Sequence, residues 1–309
     1  MEHPQPPKKV QVLLCGCGNA VHVLIAYLAQ NFSNRVESTV NVLSSHGEDL
    51  AKSLPRDGCI ECRTDKGTTI SGKAKCISND PAKLVIAICI IILFALPMDR
   101  HEQYLQQMKP YIAKNTMIGS MAAEGGIDLC IRNVLGPSLT EKCILFSLET
   151  MPWACRIHTF GQKVQILGTK KDIDLCVRPG QQFSNVREIV QAMIGPLPVV
   201  KGRSTSTFLG VTLMNPNAIA HPSIEYGLLR DWDGQPFEKP PLFYQNVDTF
   251  TANVMERVSD DILQVKKVIQ DKYLGMDLEL VRSIGELFEE AYADDIQDHS
   301  SLRNMFNSN

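Results

Sequence analysis

The sequence has little that would point to nucleic acid, an anionic surface or a membrane. Its formal net charge at pH 7 is −3 over 309 residues, so no basic field is available to attract phosphate backbones or anionic lipids. The longest apolar run, Leu84–Met98, is shorter than the ~20 residues that span a bilayer. The polar start, MEHPQPPKK, has no apolar stretch of the kind that a signal peptide needs. We therefore expect a cytoplasmic chain without nucleic-acid or membrane partners.

Paired metal-ligand motifs are also missing. Of the ten cysteines, Cys59 and Cys62 form a CxxC, but no second CxxC and no pair of histidines stands nearby to complete a zinc site. Cys15, Cys89 and Cys143 lie in apolar runs, where cysteine behaves as a small core residue of a reducing compartment. The sequence therefore predicts no metal site.

What the sequence does have is a glycine-containing turn between an apolar run and a helical pattern. Val10–Cys15 has the length and composition of a buried strand, and the apolar residues after the turn recur at helical spacing. This order is typical of the first unit of a dinucleotide-binding fold. Glycine permits the tight turn and a close backbone approach to a pyrophosphate, which the free N–H groups at the helix start would bind. We predict that five residues form this cofactor loop: Gly16, Cys17, Gly18, Asn19 and Ala20.

Two positions depart from the usual fingerprint. Val21 stands where glycine or alanine would allow the closest packing of helix on strand. The second predicted strand, Val36–Leu43, is followed by Ser44 and Ser45 instead of the acid that commonly binds the adenosine ribose. The Ser44 hydroxyl, which we predict as a cofactor contact, can bond a ribose or can cap the next helix. NAD is the expected cofactor, and NADP stays open.

Further along, strands and helices alternate. The Val/Ile-rich run Leu84–Leu96 is typical of a central parallel strand, and it ends at Pro97, where the ligand crevice of an open α/β sheet lies. Turns at 65–67 and 161–162 predict two hairpins, the first an insertion and the second the closing edge of the sheet.

Strand signals end near Gly202. Val247–Leu274 shows helical spacing, and Asp277 is predicted to cap another helix. The predicted fold class is α/β: a Rossmann-type dinucleotide-binding domain over residues 1–203, followed by a mainly α-helical substrate domain over residues 204–309. In paired domains of this kind the substrate binds in the cleft between the two.

A proton donor for such chemistry is best sought among the seven histidines. His221 stands out because Asn215-Pro216-Asn217 precedes it and Pro222 follows it at the front of the helical domain. On this setting alone, a structural histidine is the more common outcome.

Seven short blocks resemble opine dehydrogenases, most closely the octopine dehydrogenases, in family order along almost the whole chain. The blocks are CGCGN (15–19), LETMPWACR (148–156), KVQILGTK (163–170), NPNAIAHP (215–222), WDGQP (232–236), PLFYQ (241–245) and DDIQD (294–298). The resemblance implies that an amino acid condenses with pyruvate or another 2-oxo acid, and that NADH reduces the resulting imine to an opine.

The resemblance also implies residue roles. His221 would be the acid/base, and Glu149 and Trp153 would contact the amino acid. Pro97 and Cys155 would line the nicotinamide side. For Glu149 the alternative is a cap at the edge of the sheet.

In this family the histidine works with an aspartate and an arginine that follow the DDIQD block, whereas this sequence ends at Asn309. We therefore expect an incomplete helical domain and a histidine without its carboxylate partner, which would make it a poorer acid. Three interpretations stay open: an enzyme that uses other groups, a catalytically impaired dinucleotide-binding relative that acts as a sensor or partner protein, and an incomplete sequence. A reductase of 2-oxo or polyol phosphate substrates is a further alternative. The amino-acid co-substrate and the oligomeric state are not readable from the sequence.

Overall fold

The computed structural model describes residues 8–30, 36–84, 91–122, 126–292 and 295–308. The chain divides into two compact units, Met1–Phe208 and Leu209–Asn309. Within the described ranges, no helix has the length and apolar content needed to cross a membrane.

The first unit alternates strands with helices. Its described strands are β1 (Lys8–Cys15), β2 (Val36–Leu43), β3 (Ile60–Arg63), β4 (Thr69–Gly72), β5 (Cys76–Ser78), β6 (Ile91–Phe94), β7 (Met117–Ser120), β8 (Ile144–Leu148), β9 (Trp153–Thr159), β10 (Lys163–Thr169), β11 (Asp172–Arg178) and β12 (Val199–Lys201). Its described helices are α1 (Asn19–Leu28), α2 (Gly47–Ser53), α3 (His101–Met108), α4 (Ile127–Leu135), α5 (Pro137–Thr140) and α6 (Phe183–Ile194).

The main sheet has the order β12-β11-β8-β7-β6-β1-β2-β5. The pairs from β5 through β2, β1, β6 and β7 to β8 are all parallel. This is the 3-2-1-4-5-6 order of a doubly wound dinucleotide-binding sheet, with β11 added antiparallel to β8. The order reverses between β1 and β6, so the ligand crevice lies at the edge where these parallel strands end, hereafter the carboxyl edge. The predicted α/β class is confirmed.

A second sheet covers the first helix. Its order is β4-β3-β10-β9, so the two predicted hairpins pair with each other. The prediction that the second hairpin closes the main sheet is wrong. All side chains of α1 from Ala20 to Leu28 are buried, and a Cβ at Gly72 of β4 would collide with the Ile25 carbonyl oxygen. Helix α1 is buried on every side because it is covered on more than one face.

The predicted central strand at Leu84–Leu96 is described only in part. Strand β6 covers Ile91–Phe94, and residues 85–90 of the prediction lie outside the described residues. Its four residues are all buried, as expected of a strand covered on both faces.

The second unit is helical. Its helices are α7 (Phe208–Leu213), which starts at the last residue of the first unit, α8 (Pro216–Leu229), α9 (Thr249–Lys272), α10 (Ile284–Tyr292) and α11 (Leu302–Ser308). A buried cluster that includes Ile224, Met255 and Phe306 joins α8, α9 and α11. The prediction that Asp277 caps a helix is wrong, because its carboxylate accepts the Glu279 N–H in a turn and α10 begins only at Ile284.

Candidate cofactor and catalytic sites

Gly16, the residue directly after β1, is held between the neighbouring strands. Its N–H donates to the Leu43 carbonyl oxygen at 2.9 Å, and its φ is +113°. A Cβ on Gly16 would lie 3.0 Å from the Ala95 carbonyl oxygen. Only glycine adopts this backbone conformation without strain, so the protein's own packing requires Gly16.

Gly18 is different, because nothing in the protein requires it. A Cβ there would meet no atom within 4 Å, and the residue is exposed. Among the described residues, the N–H groups of Asn19, Ala20 and Val21 have no hydrogen-bond acceptor, and the first turn of α1 carries no acidic side chain. Open space in front of unpaired N–H groups at a helix start fits the pyrophosphate of a dinucleotide.

The other predicted loop residues fix the loop in place. The Asn19 side-chain oxygen accepts the Ile157 N–H at 2.8 Å, which ties the start of α1 to β9. Ala20 is buried, and Cys17 is partly buried against the core. Their backbone, more than their side chains, therefore faces the candidate pyrophosphate site.

His22 fixes the glycine loop through its hydrogen bond to Gly18, a role that its position in the sequence does not reveal. Its Nε2 accepts the Gly161 N–H at 2.9 Å, so Nδ1 carries the proton and donates to the Gly18 carbonyl oxygen at 3.0 Å. The side chain is fully buried, and burial lowers the pKa of His22. The one sign of this role in the sequence is that a histidine stands among the apolar residues of the first helix.

The end of β2 forms a turn stabilised by Ser44. Its hydroxyl accepts the His46 N–H at 3.2 Å just before α2, and its own N–H donates to Ser78. This bond stabilises the turn, whereas the N-cap of α2 is His46 and no side-chain hydrogen bond caps that helix among the described residues. The ribose contact of Ser44 stays a prediction. The Ser45 N–H donates to the Tyr104 hydroxyl at 3.1 Å.

Beside this turn lies a cavity of about 240 Å³. It adjoins the glycine loop, because Leu43 both lines it and accepts the Gly16 N–H. The polar groups that line it are uncharged. The lining residues are Leu43, Ser44, Ser45, Asn79, Gln103, Tyr104 and Gln107.

Pro97 lies at the carboxyl edge, on the other side of the point between β1 and β6 where the strand order reverses, opposite the glycine loop. The Ala95 N–H donates to the Cys15 carbonyl oxygen at 3.1 Å, which holds the ends of β6 and β1 side by side. Pro97 is exposed just beyond this contact. Behind it, His101 is buried and its Nε2 lies 3.2 Å from the Leu96 carbonyl oxygen.

Glu149 also lies at the carboxyl edge, directly after β8. Its N–H donates to the Asp174 carbonyl oxygen of β11 at 3.0 Å. Lys170, whose N–H donates to the Pro152 carbonyl oxygen, has its pKa lowered by burial, while the nearby carboxylates of Glu149 and Asp172 act in the opposite direction. Lys170 ends the KVQILGTK block, but nothing local in the sequence marks it as a residue of this edge.

Trp153 and Cys155 are placed in the core by the structure. The Trp153 ring packs on Tyr27 of α1 with centroids 5.0 Å apart, and its exposed fraction is 3%. Cys155, two residues further along β9, is also buried, and burial raises its pKa to about 11. The predicted contacts of Trp153 with substrate and of Cys155 with nicotinamide gain no support from this placement and stay predictions.

His221 lies in the second unit, in the middle of α8. The Asn215 side chain caps this helix by accepting the Asn217 N–H at 3.0 Å. His221 is partly buried, and its Nε2 lies 2.8 Å from the Tyr244 hydroxyl. Phe243 packs edge-on against the imidazole at 5.4 Å between centroids.

The structure thus gathers the glycine loop, Ser44, Pro97 and Glu149 at one edge of the main sheet. Parallel strands end together at such an edge, which is why residues far apart in sequence meet there. His221 lies in the helical unit, where Tyr244 and Phe243 contact its ring.

Similarity to known proteins extends over both units. A family model described as "NAD/NADP octopine/nopaline dehydrogenase, alpha-helical domain" matches residues 204–309. Tauropine dehydrogenase from Arabella iricolor is 31% identical over 305 residues, which cover 97% of this chain and 76% of that protein. Opine dehydrogenase from Haliotis discus hannai is 32% identical over 306 residues, which cover 96% of this chain and 73% of that protein.

A solved structure has the same fold. The structure of octopine dehydrogenase in complex with NADH and agmatine matches with a TM-score of 0.85 at 29% identity, over 97% of this chain and 74% of that one. Identity above 30% along nearly the whole chain, together with this fold, shows that the chain belongs to the opine dehydrogenase family.

Proposed function

We propose that this protein is an NADH-dependent opine dehydrogenase, which joins the amino group of an amino acid to the carbonyl carbon of pyruvate or another 2-oxo acid. The condensation releases water and leaves an imine, and NADH when bound supplies the hydride that reduces it. The single observation that carries the proposal is the loop in front of α1. There Gly18 has open space at its Cβ position, and three N–H groups have no acceptor in the described part of the chain, which leaves room for a pyrophosphate. Family membership gives the reaction class.

NADH is the proposed cofactor in preference to NADPH. A 2′-phosphate needs a cation, and the cavity at the end of β2 is lined by uncharged groups. Two carboxylates lie beside residues of this region: the Asp49 side chain pairs with His46 at 3.5 Å, and the Glu48 side chain lies 3.4 Å from the Asn79 amide. These carboxylates disfavour a second phosphate.

His221 is proposed to supply and recover the proton at the reacting carbon–oxygen and carbon–nitrogen groups. Imidazole suits this role because its ordinary pKa lies close to neutral pH. Its hydrogen-bond partner among the described residues is the Tyr244 hydroxyl.

Glu149 is proposed to bind the ammonium group of the amino acid at the carboxyl edge. A carboxylate that accepts a charge-assisted hydrogen bond from a substrate cation contributes more than a neutral acceptor does. We expect Glu149→Gln to raise the KM for the amino acid about 10-fold, with a smaller change in the KM for pyruvate. Equal changes in both KM values would contradict this role.

The first experiment is NADH oxidation by the 309-residue chain, with pyruvate and a panel of amino acids, beside the His221→Ala variant. Turnover that needs both substrates and is lost in the variant supports the proposal. Binding of NADH without turnover would contradict it and would favour a dinucleotide-binding relative that acts as a sensor or partner protein. Binding of NADPH as tight as that of NADH would contradict the cofactor preference.

A further inference from the structure

The hydroxyl of Tyr244 is the hydrogen-bond partner of His221. Its oxygen lies 2.8 Å from Nε2, although the two residues are 23 positions apart. Nδ1 of His221 has no hydrogen-bond partner among the described residues. One ring nitrogen is therefore held, and the other is open to a substrate or to water.

The segment that carries Tyr244 is fixed on both sides. Before it, Phe243 packs against the buried cluster of the helical unit and against the His221 ring. After it, Val247 is buried, and Asp248 caps α9 while it pairs with Arg230 of the same unit at 2.8 Å. The position of the hydroxyl is thus set by packing and by an ion pair.

A hydroxyl can serve both protonation states of an imidazole. It donates its proton to a neutral ring at Nε2, and it accepts the Nε2–H of an imidazolium. When the hydroxyl donates to the neutral ring, the ring proton is on Nδ1, the open nitrogen. Burial raises the pKa of Tyr244, which keeps its proton in place near neutral pH.

We propose that Tyr244 is a positioning residue for the reaction: its hydroxyl holds Nε2 of His221, so that the proton is exchanged with the substrate at Nδ1. The inference rests on the proposed function, in which His221 is the acid/base. A hydroxyl adds no charge to the site, whereas a carboxylate in the same place would favour the imidazolium.

Loss of the hydroxyl alone can be tested without loss of the ring. Tyr244 is 49% exposed, and its ring stacks on Phe306 with centroids 6.5 Å apart, so Tyr244→Phe keeps the ring contacts. The matched control is Tyr226→Phe, because Tyr226 lies on α8, is 57% exposed and packs its ring on Phe250.

Two readouts are needed. Nitrogen NMR of the imidazole, with His221→Ala to identify its signals, should show the Nδ1–H tautomer in the unmodified chain and in Tyr226→Phe, and a mixture of tautomers in Tyr244→Phe. Steady-state kinetics should show kcat lowered about tenfold in Tyr244→Phe, as expected for one hydrogen bond, with both KM values changed less than about twofold. Tyr226→Phe should leave both parameters unchanged.

The outcomes separate the two proposals. If the unmodified chain has no turnover, the proposed function fails, and the tautomer spectrum alone still decides whether Tyr244 holds the ring. If turnover is present and Tyr244→Phe alters neither the spectrum nor kcat, the inference is overturned. A changed spectrum with an unchanged kcat overturns it as well, since the bond would then have no part in the reaction.

Discussion

His22 and His221 are both on helices, and they differ in almost every physical respect. His22 is fully buried, and backbone groups of Gly18 and Gly161 satisfy both of its nitrogens. His221 is partly buried, and among the described residues one nitrogen meets a side-chain hydroxyl while the other has no partner. A histidine closed by backbone groups has no route for exchanging a proton with a ligand, so it can only support structure. A histidine with one open nitrogen retains that chemistry.

The largest expected effect comes from removing the side chain of His221, which has an open ring nitrogen. Removing an acid/base side chain lowers kcat by about 100-fold or more, so His221→Ala should abolish most NADH oxidation. The melting temperature should change little, because the side chain is partly exposed. NADH binding, measured by fluorescence titration, is the control and should be retained. Activity within tenfold of the unmodified chain would show that His221 is not the acid/base.

Removing the side chain of His22, whose two ring nitrogens are both hydrogen-bonded, should instead lower stability. We expect His22→Ala to lower the free energy of unfolding by about 3 kcal/mol, because it leaves a cavity and an unpaired Gly161 N–H. Urea denaturation measures this. The control is His158→Ala, whose exposed side chain bonds Gln165, with an expected change below about 0.5 kcal/mol. Equal losses of stability in the two variants would contradict a structural role of His22.

The glycine loop contains a similar contrast, because Gly16 is packed against the neighbouring strand whereas Gly18 faces open space. Gly16→Ala should cost about 1–2 kcal/mol of stability, because a side chain is strained at positive φ. Gly18→Ala should leave stability unchanged and raise the Kd for NADH about tenfold, or about 1.4 kcal/mol, because the methyl group enters the open space in front of α1. An unchanged Kd in Gly18→Ala would argue against the pyrophosphate site.

The smallest effect is a pH dependence of stability. The pKa of His22 in the folded chain lies below the ordinary value of 6.5, so the unfolded chain binds more protons. The contribution of His22 is therefore fully present above pH 6.5 and is lost as the pH falls toward the folded-state pKa. We expect about 1 kcal/mol less stability at pH 5.5 than at pH 7.5, and a smaller difference in His22→Asn. The same slope in both proteins would show that His22 does not cause it.

Much of the first unit was predictable because the information is local. A strand, a glycine turn and a helix in sequence specify the loop around Gly16 and Gly18, since each element depends on neighbouring residues. The sequence pattern also predicts the long helix of the second unit, where the structure has Thr249–Lys272. The start of the following helix was missed because Asp277 accepts a hydrogen bond in a turn just as well as at a helix start.

Other features depended on contacts distant in sequence. A hairpin pattern does not state which sheet the hairpin joins, so the pairing of β10 with β3 could not be foreseen. The sheet that contains this pairing covers α1. Trp153 and Cys155 lie on its strand β9 and are buried, whereas the resemblance in sequence implied that they contact ligands.

The order of residues is enough to specify the doubly wound unit, the helical unit and the family, because periodicity, glycine turns and short blocks are local properties of the chain. Which histidine has both nitrogens bonded and which has one open nitrogen depends on the folded arrangement. The Gly161 N–H that closes His22 and the Tyr244 hydroxyl that holds His221 both come from distant segments. The availability of a nitrogen for proton transfer depends on such distant partners, and no local pattern of residues specifies them.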